Sequence, residues 1–330
     1  MDALSLVLFG QALGDGLGTF LLHKPRIAEK INKSIQEENL HLHLSYGEHT
    51  QLALYLYKLC GTLEQSHYSA EFSAHIKEQL PLFPKEYIRG SHNLLSVYSQ
   101  LSRQQTESLS SAILFSPLSA HFHSIEQFLP WLIGYAGMLN KDPYAIAGHI
   151  VFGFYLFCRQ QGASPEECIQ MFAQWRKSSQ ALQSPVPDQI YWAYQQAIWI
   201  GLNYSRRPMM EFVGQHLGIT ITSPSASCSF SMLPFAIVLA EDKKDFQELC
   251  LYLSEPSSMI SKSDLMVLAM LSGQVVGTIV LHIPHWISIH NQELLLHPQK
   301  WSMESEQEDA KPSVRFPPPH KKEEEQLPLF

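Results

Sequence analysis

The chain has 330 residues, 45% of them hydrophobic and 16% charged, so it can bury a large core in one or two domains. Its formal net charge of -8 argues against a nucleic-acid backbone as a direct partner. The five cysteines are dispersed within apolar runs and form no Cys-x-x-Cys pair, which is typical of reduced thiols in a cytoplasmic protein. No basic stretch precedes the first apolar run, so we expect no signal peptide.

Apolar periodicity predicts an all-α body with short connections and no recurring strands. The first predicted helix, residues 3–22, carries Gly10, Gly14 and Gly18 on one face, where another backbone could come close. The second predicted helix, residues 49–60, is nearly all apolar after a polar start. The remaining predicted helices span residues 66–80, 91–103, 105–116, 124–139, 143–162, 165–182, 187–203, 208–217, 230–241, 243–253 and 264–281.

Two connecting segments carry polar residues that could lie near a site. Residues 25–44 are polar and mixed, and we predict a short helix or loop there. His41 and His43 have a spacing that suits an extended segment, but we interpret them as exposed loop residues. The serine- and threonine-rich segment between Leu217 and Phe230 is predicted to be a loop that could face a ligand.

One stretch, from Leu265 to Ile283, is apolar enough to raise the question of a membrane span. Gly273 and Gly277 have a spacing that pairs of membrane helices also use. Gln274 and His282 interrupt the stretch, and no basic cluster flanks it. We therefore interpret it as a central buried helix and expect no membrane association.

The composition changes near Trp301. Residues 299–325 are rich in charge and proline and contain few large apolar side chains, so we predict a disordered linker after a body that spans residues 1–298. The chain then ends on residues 326–330, Gln-Leu-Pro-Leu-Phe. An apolar end on a charged tether predicts a short binding motif.

Three motifs of the body resemble those of the ADP-ribosylglycohydrolase family, which includes the dinitrogenase reductase-activating glycohydrolases. The first is the Gly-x-x-x-Gly-Asp-Gly-x-Gly run at residues 10–18, and the second is Gly-Glu-His-Thr-Gln at residues 47–51. The third begins near Asp264 and continues to Gly273 and Gly277. The resemblance covers about residues 5–290. It implies an all-α protein that cleaves ADP-ribose from modified side chains with two Mg²⁺ or Mn²⁺ ions.

The resemblance also implies where the metal ligands should be, and most of them are replaced. The family uses a Thr/Ser-Asp-Asp triplet and an Asp, an Asp and a Thr of the late motif. The corresponding residues here are Gly47, Glu48, His49, Asp264, Met266 and Val267. Magnesium requires oxygen ligands, so a two-metal site should not form. We expect no cofactor, and Mg²⁺ or another divalent metal only if the remnant site is functional.

The remaining polar residues each have a structural and a functional interpretation. Asp264, which follows Ser261 and Ser263, suits a helix cap better than a retained ligand. Glu48 and His49 suit the mouth of a buried helix, and the alternative is a single metal ion bound by Glu48, His49 and Asp264. Asp15 is either a solvated or capping acid, or a supporting group beside the site.

The last five residues resemble the pentapeptide with which bacterial replication and repair proteins dock on the β sliding clamp. Gln326, Leu327, Leu329 and Phe330 match that pattern. The same five letters occur at residues 79–83, inside the predicted body. The alternatives are therefore clamp binding, docking of the tail on a neighbouring chain, and an apolar end without a partner.

These observations predict a catalytically degenerate ADP-ribosylglycohydrolase-like protein of the bacterial cytoplasm. It would act as a binding or scaffold protein, with ADP-ribose or an ADP-ribosylated molecule as a candidate ligand and the clamp as a candidate partner. The alternative is an active hydrolase with a rearranged metal site.

Overall fold

The computed structural model describes residues 3–23, 42–44, 49–51, 53, 54, 57, 119, 122–178, 184–255, 260–283, 285–289 and 292–296. This part of the chain is predominantly helical, as the periodicity predicts. The predicted helices at residues 66–80, 91–103 and 105–116 lie outside it. So do the tail and the internal copy of its last five residues.

The described elements follow one another in a simple order. They are α1 (Ala3–His23), β1 (Leu42–Leu44), α2 (Ile125–Leu139), α3 (Pro143–Gln160), α4 (Pro165–Trp175), α5 (Asp188–Asn203), α6 (Arg206–Leu217), α7 (Ser229–Lys243), α8 (Phe246–Ser254), α9 (Lys262–Ile279), β2 (Ile287–Ile289) and α10 (Gln292–Leu296). Residues 49–51, 53, 54 and 57 are also helical, and we call them the His49 helix.

The closest packing in the described chain is between α1 and α9, which run antiparallel. The three glycines of α1 at four-residue spacing face α9: Gly10 lies against Gly273, Gly14 against Ala269, and Gly18 against Met266. Side chains at these positions would keep the backbones apart. The predicted role of the four-residue glycine spacing is therefore confirmed.

Helix α9 also contacts α3, α7 and α8, and it lies inside the described core. Helix α7 is the most enclosed of its neighbours, because all its residues from Ser229 to Glu241 are buried. Helix α5 packs against α7 and α3 from the other side. Among the described residues, none of the helices has the length and apolarity of a membrane span.

Most helix boundaries agree with the sequence signals. Asp142 and Ser164 cap α3 and α4, each directly before a proline, where the missing N–H costs no hydrogen bond. Helix α4 ends at Trp175 and not at the predicted residue 182, because the chain turns and Arg176 pairs with Asp188 of α5. Helix α6 begins at Arg206, before the predicted residue 208, since its first turn tolerates a proline.

A small parallel sheet joins β1 to β2, with Leu42 beside Ile287 and Leu44 beside Ile289. The sequence interpretation of a helix or loop is wrong for residues 42–44, and the extended alternative applies there. Leu44, Ile287 and Ile289 are buried, so alternating apolar side chains fix this pairing against the core.

Candidate functional site

The candidate residues of the remnant site lie on three elements. Asp15 is on α1, His49 and Thr50 begin the His49 helix, and Asp264 is in the first turn of α9. Glu48 lies outside the described residues. The alternative of a single-metal site can therefore be described only in part.

Asp15 is buried, with 1% of its surface exposed, so the solvated alternative for this acid is wrong. Its Oδ2 accepts hydrogen bonds from the backbone N–H of Thr50 at 3.2 Å and from the Thr50 hydroxyl at 2.9 Å. The N–H groups of a first helical turn have no partner within their own helix. Asp15 thus caps the His49 helix from another part of the chain.

His49 is also buried, and its Nδ1 lies 3.8 Å from Oδ1 of Asp15. That distance is too long for a hydrogen bond, but it places the imidazole beside the carboxylate. The carbonyl oxygen of His49 accepts a hydrogen bond from Nε2 of Gln11 at 3.3 Å. Nε2 of Gln274 in turn donates to Oε1 of Gln11 at 2.9 Å. A polar chain therefore connects α9, α1 and the His49 helix.

Asp264 belongs to a different set of contacts. The Ser261 side chain caps α9 by accepting from the N–H of Asp264, and its hydroxyl donates to Oδ2 of Asp264. Oδ1 of Asp264 accepts from the N–H of Ala226 at 2.6 Å and from the Ser225 hydroxyl at 3.5 Å. Asp264 thus stabilises the start of α9 and holds the serine-rich loop against it.

That loop is compact. Ser225 and Cys228 form an isolated antiparallel bridge, and the N–H of Ser225 donates to the Ser231 hydroxyl at 3.1 Å. The hydroxyls of Ser225 and Ser227 lie 3.0 Å apart. The predicted loop between Leu217 and Phe230 is present, and its hydroxyls bind one another and Asp264.

The donor atoms near the remnant motifs do not fit a pair of hard divalent ions. Both oxygens of Asp264 accept protein hydrogen bonds, and Met266 packs against Gly18. Val267 has no ligand atom and is buried. Within the described ranges, no group of three or more His, Cys, Asp or Glu side chains is placed to hold a metal ion. Among the described positions that correspond to the family's ligands, Asp264 is the one that carries a carboxylate, the donor that Mg²⁺ prefers.

The sequence interpretation missed Gln11 and Gln274 as parts of this junction. Gln11 lies one turn before Asp15 on α1, and both are buried. Gln274 lies between Gly273 and Val275 in an apolar helix. A buried amide needs a hydrogen-bond partner, so a glutamine in an otherwise apolar helix is itself a signal of a buried polar contact. That signal could have identified Gln274.

A second buried polar cluster lies between α3 and α7, away from these motifs. Oε1 of Glu241 accepts from Nε of Arg159 at 2.8 Å and from the Tyr155 hydroxyl at 2.7 Å. Burial, followed by the charge of Glu241, raises the pKa of Tyr155 well above its usual value.

Contact with Cys158 and then burial raise the pKa of the Cys168 thiol. Both cysteines are buried in the core.

Comparison of the sequence with protein-family models and with curated proteins gives no match. The family resemblance therefore depends on the three motifs alone.

Proposed function

We propose that this chain is a catalytically degenerate ADP-ribosylglycohydrolase-like protein that works by binding. The observation that carries the proposal is that both carboxylate oxygens of Asp264 accept hydrogen bonds. One bond comes from Ser261 and the other from Ala226 in the serine-rich loop. Six positions correspond to the family's metal ligands, and Asp264 is the one at which this chain has the family's residue. Each of its oxygens thus accepts a protein hydrogen bond, which supports a structural role for this carboxylate over a metal-ligating one.

The ligand of such a protein would be ADP-ribose or an ADP-ribosylated molecule. The close glycine packing of α1 on α9 supports this proposal, because it keeps the framework that positions the motifs. Isothermal calorimetry of the full chain with ADP-ribose tests it, with ADP and ribose 5-phosphate as controls. Saturable heat without turnover supports a binding protein, and the absence of heat at millimolar ligand contradicts it.

The tail proposal concerns the partner. Gln326, Leu327, Leu329 and Phe330 match the clamp-binding pattern, and a short segment on a charged, proline-rich tether can enter a pocket without unfolding the body. Pro328 would limit the conformations that binding must select. A single short peptide should bind in the micromolar range, about -8 kcal/mol. The clamp is a ring with several equivalent pockets, so avidity would add to this affinity if the body were oligomeric.

A polarisation titration of residues 302–330 against the clamp of the same organism tests the tail. Binding that disappears when Leu329 and Phe330 are deleted supports the proposal. In the full chain, replacement of Leu82 and Phe83 in the internal copy should mainly destabilise the fold, while the tail still binds the clamp. No binding at about a hundred micromolar clamp, well above the expected range, would refute clamp binding and make docking on a neighbouring chain the leading alternative.

The alternative function is hydrolysis of ADP-ribosyl bonds with a rearranged metal site of Glu48, His49 and Asp264. It is favoured by the mixed nitrogen and oxygen donors of these residues, which suit Zn²⁺ better than Mg²⁺. It requires a carboxylate oxygen of Asp264 to bind the metal ion beside its hydrogen bonds to Ala226 and Ser261. Turnover that depends on Asp264 would distinguish this function from binding alone.

A further inference from the structure

We propose that the polar groups beside the remnant motifs form a metal-independent anchor that docks the His49 helix on α1. The anchor consists of five residues: Gln11, Asp15, His49, Thr50 and Gln274. It deepens the proposed function and rests on it, because it assigns a new role to a place where the family pattern implies metal ions.

The first step of the argument concerns Asp15. A buried carboxylate is costly unless donors or charges surround it. Thr50 supplies two donors to one oxygen, and the imidazole of His49 lies beside the other oxygen. These three groups all belong to the helix that Asp15 caps. Two hydrogen-bond donors and an adjacent imidazole therefore offset part of the cost of burying this carboxylate without a bound ion.

The second step concerns the glycine contact. Gly10 and Gly273 bring the two backbones so close that their sequence neighbours, Gln11 and Gln274, meet side chain to side chain at 2.9 Å. Gln11 then donates to the carbonyl oxygen of His49. The packing of α1 on α9 and the docking of the His49 helix are therefore parts of one arrangement.

The third step is that the anchor holds the helix at two different places. Asp15 binds the N–H of Thr50, and Gln11 binds the carbonyl group of the preceding residue. Both contacts are made by side chains one turn apart on α1. Two directional contacts fix the position and the rotation of a helix start, which apolar packing alone does not.

Thermal unfolding of the full chain tests the anchor, first without any substitution. We expect the same melting temperature in EDTA, in MgCl₂ and in MnCl₂. A cation bound at a hundred times its Kd would raise the melting temperature by about 2 °C or more. Such a rise, lost in Asp15→Asn, would overturn the proposal because it would place the ion at the anchor.

Matched substitutions of Thr50 provide the second measurement. Thr50→Val removes the hydroxyl donor and keeps the shape, whereas Thr50→Ser keeps the donor. We expect Thr50→Val to lower the melting temperature by several degrees more than Thr50→Ser does. This difference should be the same with and without metal. Glu211→Gln, at an exposed acid paired with the exposed Arg207, is the control and should have a small effect. Equal melting temperatures for Thr50→Val and the unsubstituted chain would contradict the anchor.

The two proposals fail in different ways. Metal-dependent hydrolysis of ADP-ribosyl bonds with a metal-independent melting temperature would refute catalytic degeneracy and leave the anchor standing. A metal-dependent rise in melting temperature that is lost in Asp15→Asn, without turnover, would refute the anchor and leave degeneracy standing.

Discussion

Gly10 and Gly273 meet backbone to backbone: a Cβ atom on Gly10 would lie 1.9 Å from the carbonyl oxygen of Gly273, and one on Gly273 would lie 2.1 Å from the carbonyl oxygen of Gly10. No side-chain rotation relieves either contact, because the opposing atoms are backbone. The close contact between α1 and α9, which we call the seam, therefore requires glycine at both positions. The amide pair of Gln11 and Gln274 depends on the same seam.

Gly273→Ala should lower the free energy of unfolding by about 3 kcal/mol or more, since α1 and α9 must move apart. Gly137→Ala is the matched control, because Gly137 lies on α2, where an added Cβ meets no atom within 4 Å. Alanine favours a helix, so the control should be neutral or slightly stabilising. Urea unfolding measures both, and equal midpoints for the two variants would contradict the close seam.

Glu241→Gln should lower the free energy of unfolding by about 3–5 kcal/mol, because the Arg159 guanidinium would remain buried without its counter-charge. Glu211 pairs with Arg207 on the exposed surface of α6, so Glu211→Gln should cost less than about 1 kcal/mol. Guanidinium chloride would screen such charge pairs, so urea is the suitable denaturant. A loss below 1 kcal/mol for Glu241→Gln would show that water reaches the cluster.

His149 should make the protein less stable in mild acid. Burial lowers its pKa to about 4 from the usual 6.5, so the unfolded chain binds more protons than the folded chain between these values. Stability is thus fully present above pH 6.5 and is lost as pH falls towards 4. When the pH falls from 7.5 to 5, protonation of this residue in the unfolded chain should lower the free energy of unfolding by about 2 kcal/mol. His149→Gln should remove that part of the pH dependence, and an unchanged slope of unfolding free energy against pH would refute it.

Asp264→Ala should release the serine-rich loop. Its carboxylate accepts the Ala226 N–H, and a hydrogen bond to a charged group contributes about 1.5–3 kcal/mol, so amide exchange at Ala226 should accelerate about tenfold or more. Asp245→Ala is the control, because Asp245 caps α8 through the Glu248 N–H and does not bind the loop. Unchanged exchange at Ala226 would mean that the loop holds its shape without Asp264.

The sequence predicts the helical architecture because its signals are local. Glycine spacing, prolines at helix starts and serine or aspartate caps each act within a few residues, and α3 and α4 begin at such prolines and caps. The small sheet was missed because β1 and β2 are short and lie far apart in the sequence. Three-residue strands carry too little alternation to be recognised.

The candidate site was predictable in its residues but not in its pairings. The motifs identify Asp15, His49 and Asp264, yet sequence spacing does not show that Asp15 binds Thr50 or that Asp264 binds Ala226. Both contacts join residues more than thirty positions apart, and they depend on how α1 and α9 pack. The cap interpretation of Asp264 came from Ser261, which is local, and the observed geometry agrees with it.

The most direct test of catalytic degeneracy is release of ADP-ribose by the full chain. The substrates are an ADP-ribosylated protein and O-acetyl-ADP-ribose, each with Mg²⁺, Mn²⁺ and Zn²⁺ in turn. We predict no release above the protein-free control with any of the three metals. Turnover that is lost in Asp264→Ala, while its unfolding curve shows an intact fold, would contradict the account and establish a working metal site.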